Sequence, residues 1–170
     1  MTLPSKETLA YFAGILDGEG TFTVIVVKHR HYDIPWHRGL KRTGRGFQLV
    51  PNMSFVQKSK PMVDWAKETL GGIVYSRNVG GMYGWRIQRL DALTVLIPQL
   101  LPYLRLKKEQ AKVVLGFAQH RQAQEVTDGN YQAPYDDICF ELAERVRLLN
   151  NGKHKYSAGD LKKLYDDVAV

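Results

Sequence analysis

The chain has 170 residues, 44% hydrophobic and 24% charged, the make-up of one globular domain rather than of a disordered or fibrous chain. A single cysteine, Cys139, excludes a disulfide framework and a Cys-rich zinc site, and no run approaches the ~18 apolar residues of a membrane span. Lys and Arg number 24 against 17 Asp and Glu, a net charge of +7. The excess is uneven: residues 1–110 hold 16 basic and 8 acidic residues, while residues 111–170 hold 8 and 9. Between Thr21 and Val63 stand 8 basic residues and one acid, Asp33. Such a localised basic field is the footprint of a polyanionic partner. The opening Met1-Thr-Leu-Pro-Ser-Lys-Glu7 has neither the basic start nor the apolar core of a signal peptide, so the expectation is an intracellular protein without a membrane partner.

The first element reads as a helix over Leu9–Leu16, with Ser5 as N-cap, Glu7 in the first turn, and Leu9, Phe12 and Leu16 on one apolar face. Ala10, Gly14 and Gly18 form a second stripe of small residues at spacing four. A glycine in mid-helix costs about 1 kcal/mol against alanine, so Gly14 points to close approach by another helix. Asp17-Gly18-Glu19-Gly20 should end the helix, and Thr21–Lys28, rich in Thr, Val and Ile, reads as a strand. Lys28 to Gly46 is a long basic loop. Phe47–Gln57 alternates, with Phe47, Leu49, Met53 and Phe55 on one face and Gln48, Asn52 and Ser54 on the other. Pro51 within it calls for an edge or a bulge.

Pro61–Leu70 reads as a helix closed by Gly71, and Ile73–Arg77 with Tyr83–Arg89 as a hairpin through Gly80-Gly81. Helices over Asp91–Leu101 and Arg105–Gln122 are split by Pro102. Two more follow, Tyr135–Leu149, with Ile138, Leu142, Val146 and Leu149 as its core face, and Ser157–Val168. Asp136-Asp137 reads as a solvated pair. This order packs as an α+β fold, a four-stranded antiparallel sheet with helices on one face. Its other face is polar and basic, a surface for a DNA groove. The whole chain, 1–170, is expected to be one domain, with an αββαββα core over 1–122 and C-terminal helices over 123–170.

Phe12-Ala-Gly-Ile-Leu-Asp-Gly-Glu-Gly20 closely resembles the motif that names the LAGLIDADG homing endonucleases, position by position in residue type. Leu101-Pro-Tyr-Leu-Arg-Leu-Lys-Lys-Glu-Gln-Ala111 is a second stretch similar to the family, and the resemblance runs to about residue 120. It implies a saddle-like sheet and a site-specific double-strand DNA endonuclease. A single motif implies a homodimer cutting a long pseudo-palindromic site across the minor groove to leave 3′ overhangs. The dimer interface is expected at Ala10, Ala13, Gly14, Asp17 and Gly18, with Asp17 supporting the partner helix. The resemblance also implies residence in an organelle (chloroplast or mitochondrion) or in prokaryotic cytoplasm.

The chemistry of the residues agrees with the resemblance. Glu19 lies just past a helix C-terminus, whose free carbonyls and negative dipole end favour a cation. Its carboxylate and the Gly18 carbonyl are hard oxygen ligands suited to Mg²⁺, with Mn²⁺ as a substitute, and no small-molecule cofactor is called for. Such a metal serves phosphodiester hydrolysis. An EF-hand reading of the same stretch fails, because Phe22 and Lys28 stand where Gly and Glu are needed. The resemblance places Gln57 beside water at the scissile phosphate, Lys107 in the same water network, and Lys60 or Lys58 as a nearby basic residue.

Alternation from Glu19 sends Thr21, Thr23, Ile25, Val27 and His29 outward and Phe22, Val24 and Val26 to the core. The outward side continues with Gln48, Asn52, Ser54, Tyr75, Arg77, Arg86 and Gln88, including Arg and Gln suited to purine edges in the major groove. Lys28, Arg30, Arg38, Lys41, Arg42 and Arg45 are expected on phosphates. His29, His31 and His37 lack the companions of a zinc site. A rival reading is a non-cleaving nucleic-acid binder such as an intron RNA maturase or a DNA-binding regulator. The joint presence of Glu19, Gln57 and Lys107 favours the enzyme.

Overall fold

The computed structural model describes residues 4–28, 47–77, 80–124, 134–151, 157 and 159–163. The chain opens with helix α1 (Lys6–Glu19), capped by Ser5, whose Oγ accepts from the Thr8 N–H at 3.3 Å. Strands β1 (Gly20–Lys28) and β2 (Phe47–Gln57) follow, then α2 (Lys60–Leu70), β3 (Ile73–Arg77), β4 (Met82–Ile87), α3 (Leu90–Leu100), α4 (Lys108–Ala123) and α5 (Asp137–Leu149). Residues 159–163 are also helical, and 158 and 164–168 of the helix expected over Ser157–Val168 lie outside the described residues. The expected order of elements stands, and the differences lie at their ends.

Helix α1 runs through Gly18 to Glu19 and ends inside the stretch expected to stop it, Asp17–Gly20. Gly20 ends it, its N–H bonded to the Leu16 carbonyl. A side chain at Gly20 would put Cβ 2.6 Å from the Leu16 backbone, so only glycine permits this abrupt passage from helix into strand. Helix α4 starts at Lys108 rather than Arg105, because 101–107 forms turns.

The sheet is antiparallel with strand order β1-β2-β4-β3. Strand β2 pairs with β1 along its whole length but with β4 only from Met53 onward. Pro51 therefore sits in the half of β2 that is free on its second side, where a missing N–H costs no ladder bond. The Leu49 N–H in that half donates instead to the Tyr135 hydroxyl at 2.8 Å.

The helices cover one face of the sheet. Phe22, Val24, Leu49, Met53, Phe55, Trp85 and Ile87 point into a core shared with Phe12 and Leu16 of α1, Val63 and Leu70 of α2, Leu93 and Leu96 of α3, and Val114 and Phe117 of α4. Trp85 is fully buried, and its Nε1–H donates to the Gly71 carbonyl at 2.8 Å, so burial of the indole leaves no polar atom unmet. Phe12 stacks on Trp65 with centroids 4.4 Å apart.

Two expectations about the helices are corrected. Ala13 is fully buried in the chain's own core beside Phe12 and Leu16, which removes it from any interface. On α5 the core face is Cys139, Phe140, Ala143 and Val146, while Ile138 and Leu149 are exposed. Both stripes have apolar residues at helical spacing, and packing against α4 and β1 selects the other one. Asp136 and Asp137 are exposed, as expected of a solvated pair, and Asp136 is also the N-cap of α5, its Oδ1 accepting from the Cys139 N–H at 3.0 Å. Among the described residues, no helix is long and apolar enough to cross a membrane.

Candidate active site and nucleic-acid interface

The C-terminus of α1 meets the turn before α4, and the two exchange caps. Asp17 Oδ2 accepts from the Arg105 N–H at 2.7 Å, and its Oδ1 from the Leu106 and Lys107 N–H groups at 3.1 and 2.9 Å. In return, Lys107 Nζ donates to the carbonyls of Leu16 at 3.0 Å, Gly18 at 3.4 Å and Gly20 at 2.6 Å. A cation on the last carbonyls of a helix offsets the negative end of its dipole. All three donors of the ammonium are occupied. Burial pushes the Lys107 pKa down, against the carboxylates of Asp17 and Glu19, which push it up.

The two acids of the motif are thus divided in role. Asp17 spends both oxygens on its own chain. Glu19 is exposed and takes no hydrogen bond or ion pair from any described residue. A free carboxylate beside the Gly18 carbonyl, at the negative end of a helix, has the donor chemistry to hold a hard divalent cation.

The other expected site residues fall at different distances from this junction. Gly20 pairs with Phe55, and Gln57 lies two residues further along β2, half-buried and opposite Tyr83 of β4. The ladder therefore brings the Gln57 end of β2 alongside the end of α1. Lys60 is exposed and bonded to Asp64 at 2.6 Å on its own helix, which raises its pKa; Lys58 is exposed in the bend before α2. Sequence reading did not find Asp64 as the partner of Lys60, although its spacing of four residues signals such a pair.

The face of the sheet away from the helices carries Thr21, Thr23, Ile25 and Val27 of β1, Gln48, Val50, Asn52 and Ser54 of β2, Arg86 of β4, and Tyr75 and Arg77 of β3. The register sets Thr23 opposite Asn52, Thr21 opposite Ser54, and Ser54 opposite Arg86. Thr21 and Arg77 are exposed, and Ile25, Gln48, Ser54, Tyr75, Arg86 and Gln88 are half-buried. Thr23 and Asn52 are a correction. They lie on the outward side, yet each is only 3% exposed. They are short side chains facing one another across β1 and β2, and the Asn52 Nδ2–H donates to Ser54 Oγ at 2.8 Å.

Two atoms on this face have no partner, Asn52 Oδ1 and Arg86 Nε. A buried polar group left unmet costs about 1–3 kcal/mol, so the face holds unspent hydrogen-bonding capacity. Arg86 is also held by an aromatic shelf. Its Cζ lies 5.1 Å from the centroid of the Tyr75 ring. The ring crosses Gly84 so closely that a Cβ there would come within 2.2 Å of Tyr75 Cζ. Neither Gly84 nor this stacking was foreseen from the sequence; a glycine inside a strand is the signal that marks such an approach. His29, Arg30, Arg38, Lys41, Arg42 and Arg45, expected on DNA, and His31 and His37 lie outside the described residues.

A family model described as LAGLIDADG endonuclease matches residues 12–115, from the start of the nonapeptide into α4. The chain belongs to the LAGLIDADG endonuclease family. The DNA endonuclease I-CreI of Chlamydomonas reinhardtii is 26% identical over 159 residues, which cover 92% of this chain and 86% of that protein. Among solved structures, the fold matches the homing endonuclease I-CvuI, crystallised with an I-CreI target and Mg, at a TM-score of 0.73 and 23% identity over 97% of this chain and 96% of the other. It also matches the meganuclease I-SmaMI bound to DNA, at a TM-score of 0.56 and 18% identity. That match takes in 86% of this chain but 45% of I-SmaMI. For a LAGLIDADG chain, the α1–α4 junction is therefore the motif itself, with Glu19 as its free acid.

Proposed function

We propose that this LAGLIDADG chain is a site-specific double-strand DNA endonuclease that works as a homodimer with a divalent metal, Mg²⁺ or Mn²⁺ in its place. The observation that carries the reading is the free carboxylate of Glu19. Asp17, two residues away, is consumed by three backbone N–H groups, while Glu19 is left unbonded near the half-buried Lys107. An exposed acid left open at the negative end of a helix suits metal binding. The names of I-CreI, I-CvuI and I-SmaMI describe DNA-cutting relatives, which supports the same substrate here.

Glu19 and the Gly18 carbonyl would hold the metal, which when bound supplies a polarised phosphate, an activated water and a stabilised 3′ leaving oxygen. Lys107 fixes the end of α1 and adds positive charge near the phosphate. Its bond to Gly18, at 3.4 Å, is the longest of the three and the first to give way, which releases a donor for water or phosphate. Gln57, at the end of β2, orients water through its amide. The outer face of the sheet reads bases, with the half-buried Gln48, Arg86 and Gln88 suited to purine edges.

The dimer brings two such sites together. Ala10, Gly14 and Gly18 are exposed along one side of α1, with open space where a Cβ on Gly14 or Gly18 would stand. A second α1 packed there places both Glu19 residues near one two-fold axis, and identical sheets on two half-sites, so the target is pseudo-palindromic. The chain also has about half the extent of I-SmaMI. Cleavage of both strands near the axis would leave 3′ overhangs.

Incubation of a randomised duplex library with the protein and Mg²⁺, followed by sequencing of the cut ends, tests this reading. The expected result is one enriched site with two-fold symmetry and 3′ extensions. Binding without cut ends, in Mg²⁺ and in Mn²⁺ alike, would make the protein a binder. Light scattering checks the assembly: the wild type should run at twice 19.4 kDa, and Gly14→Leu should shift it toward the single chain.

A further inference from the structure

Where α4 packs on the start of α5, far from Glu19 in sequence and on other elements, three side chains of metal-ligating type converge: His120, Asp136 and Cys139. His120 Nε2 lies 2.7 Å from Asp136 Oδ2, and the ligating atoms of all three fall within 4.8 Å of one another. We propose that His120, Asp136 and Cys139 form a binding site for a single zinc-class transition-metal ion, joining α4 to the N-terminus of α5.

The three ligand atoms stand close to the spacing that one bound ion requires. Metal–ligand bonds of about 2.0–2.3 Å at tetrahedral angles put the ligand atoms about 3.3–3.8 Å apart. Opening the His120–Asp136 contact by a fraction of an ångström and drawing in Cys139 Sγ reaches that spacing through side-chain rotation alone. The ligand set selects the metal. A thiolate and an imidazole are soft and borderline donors, which favour zinc or cobalt over the hard Mg²⁺ suited to Glu19. Thiolate and carboxylate together neutralise a divalent ion, and both stand at the start of α5, where the helix dipole favours anionic ligands.

The surroundings supply three protein ligands and leave one position open. Cys139 is fully buried, while His120 and Asp136 are partly exposed, so the fourth position opens to water. Gln124 Nε2 donates to Asp136 Oδ2 at 2.9 Å and braces the carboxylate. The neighbouring Arg121 is turned aside, its guanidinium 4.6 Å from the Tyr135 ring centroid and donating to the Pro134 carbonyl at 3.0 Å. Without metal, burial pushes the Cys139 thiol up to about 11, so it is protonated. Binding replaces the S–H bond with an S–metal bond and releases that proton to solvent, and the neutral imidazole ligates through Nε2 with its proton on Nδ1.

The chain has one cysteine, so a thiolate-to-metal band reports Cys139 alone. Chelator-treated protein, kept reduced by a phosphine, is titrated with Co²⁺. The expected result is a near-ultraviolet thiolate-to-cobalt charge-transfer band that saturates at one ion per chain and is abolished by Zn²⁺. Glu19→Gln should leave the band unchanged. Cys139→Ser should lose it, and His120→Ala should weaken binding at least tenfold with an unaltered circular dichroism spectrum. Zn²⁺ should also raise the Tm of the wild type and not that of His120→Ala. Absence of the band at excess Co²⁺, or its persistence in Cys139→Ser, overturns the proposal and leaves an N-cap with an ordinary His–Asp pair.

Discussion

The two faces of the sheet are built from the same four strands to opposite ends. On the inner face Phe22, Met53, Phe55 and Trp85 are fully or almost fully buried, and even the Trp85 Nε1–H has its carbonyl. On the outer face Thr23 and Asn52 are as buried as core residues, yet Asn52 Oδ1 and Arg86 Nε have no partner. One face has spent its capacity on stability. The other keeps capacity that a ligand with base edges can use. The lesson is that burial alone does not mark a core; burial with unmet polar atoms marks a surface prepared for a partner.

The largest effect should come from the inner face. Trp85→Ala removes a fully buried indole and strands the Gly71 carbonyl, and should cost about 3–5 kcal/mol in urea unfolding. On the outer face, Arg86→Ala should leave stability within about 0.5 kcal/mol. It should instead lose about 1–3 kcal/mol of discrimination at one symmetric pair of base positions, measured by competition among single-base variants of the target. A uniform loss across all sequences would place Arg86 on phosphate and break the comparison.

Gly84→Ala sharpens it further. The new Cβ displaces the Tyr75 ring, and the Arg86 guanidinium loses a stacking worth about 0.5–1 kcal/mol. Discrimination should therefore weaken at the same base position as in Arg86→Ala, but less.

The smallest effect lies outside the sheet, at Asp136. Burial raises its pKa, but bonds from the Cys139 backbone and thiol and from His120 outweigh that and hold it near 2, below the usual 3.8. Its contribution is complete above the unfolded value and is lost as pH falls from about 4 through about 2. Asp136→Asn should flatten that part of the stability curve by only a small amount, because the carboxylate is half-exposed.

Most of the fold was legible because the deciding signals are local. Alternation in Phe47–Gln57, the glycines after α2, and the spacing of Leu9, Phe12 and Leu16 each act within a few residues, and β2 and β3 have the bounds read from the sequence. What escaped depends on contacts between distant segments. Asp17 finds its N–H partners 88 to 90 positions along the chain. Ala13 is interior because α1 packs its own way on the sheet, and α5 turns Cys139 rather than Ile138 inward because α4 and β1 are shaped for it. Thr23 and Asn52 lie on the outward side as alternation sets them, and alternation alone does not report that each is buried there. For the site, the nonapeptide marked Asp17 and Glu19 and the 101–111 stretch marked Lys107, but the division of labour between the two acids required the turn at 105–107.

That division is the central claim, and Glu19→Gln tests it most directly. The substitution keeps shape and hydrogen-bonding capacity while removing one charge per chain. Cleavage of the selected site in Mg²⁺ is timed for mutant and wild type, with affinity for the same duplex taken in Ca²⁺. The account predicts a cleavage rate lower by several orders of magnitude, with affinity kept, since phosphate contacts elsewhere hold the DNA. A mutant that cuts at the wild-type rate would contradict it.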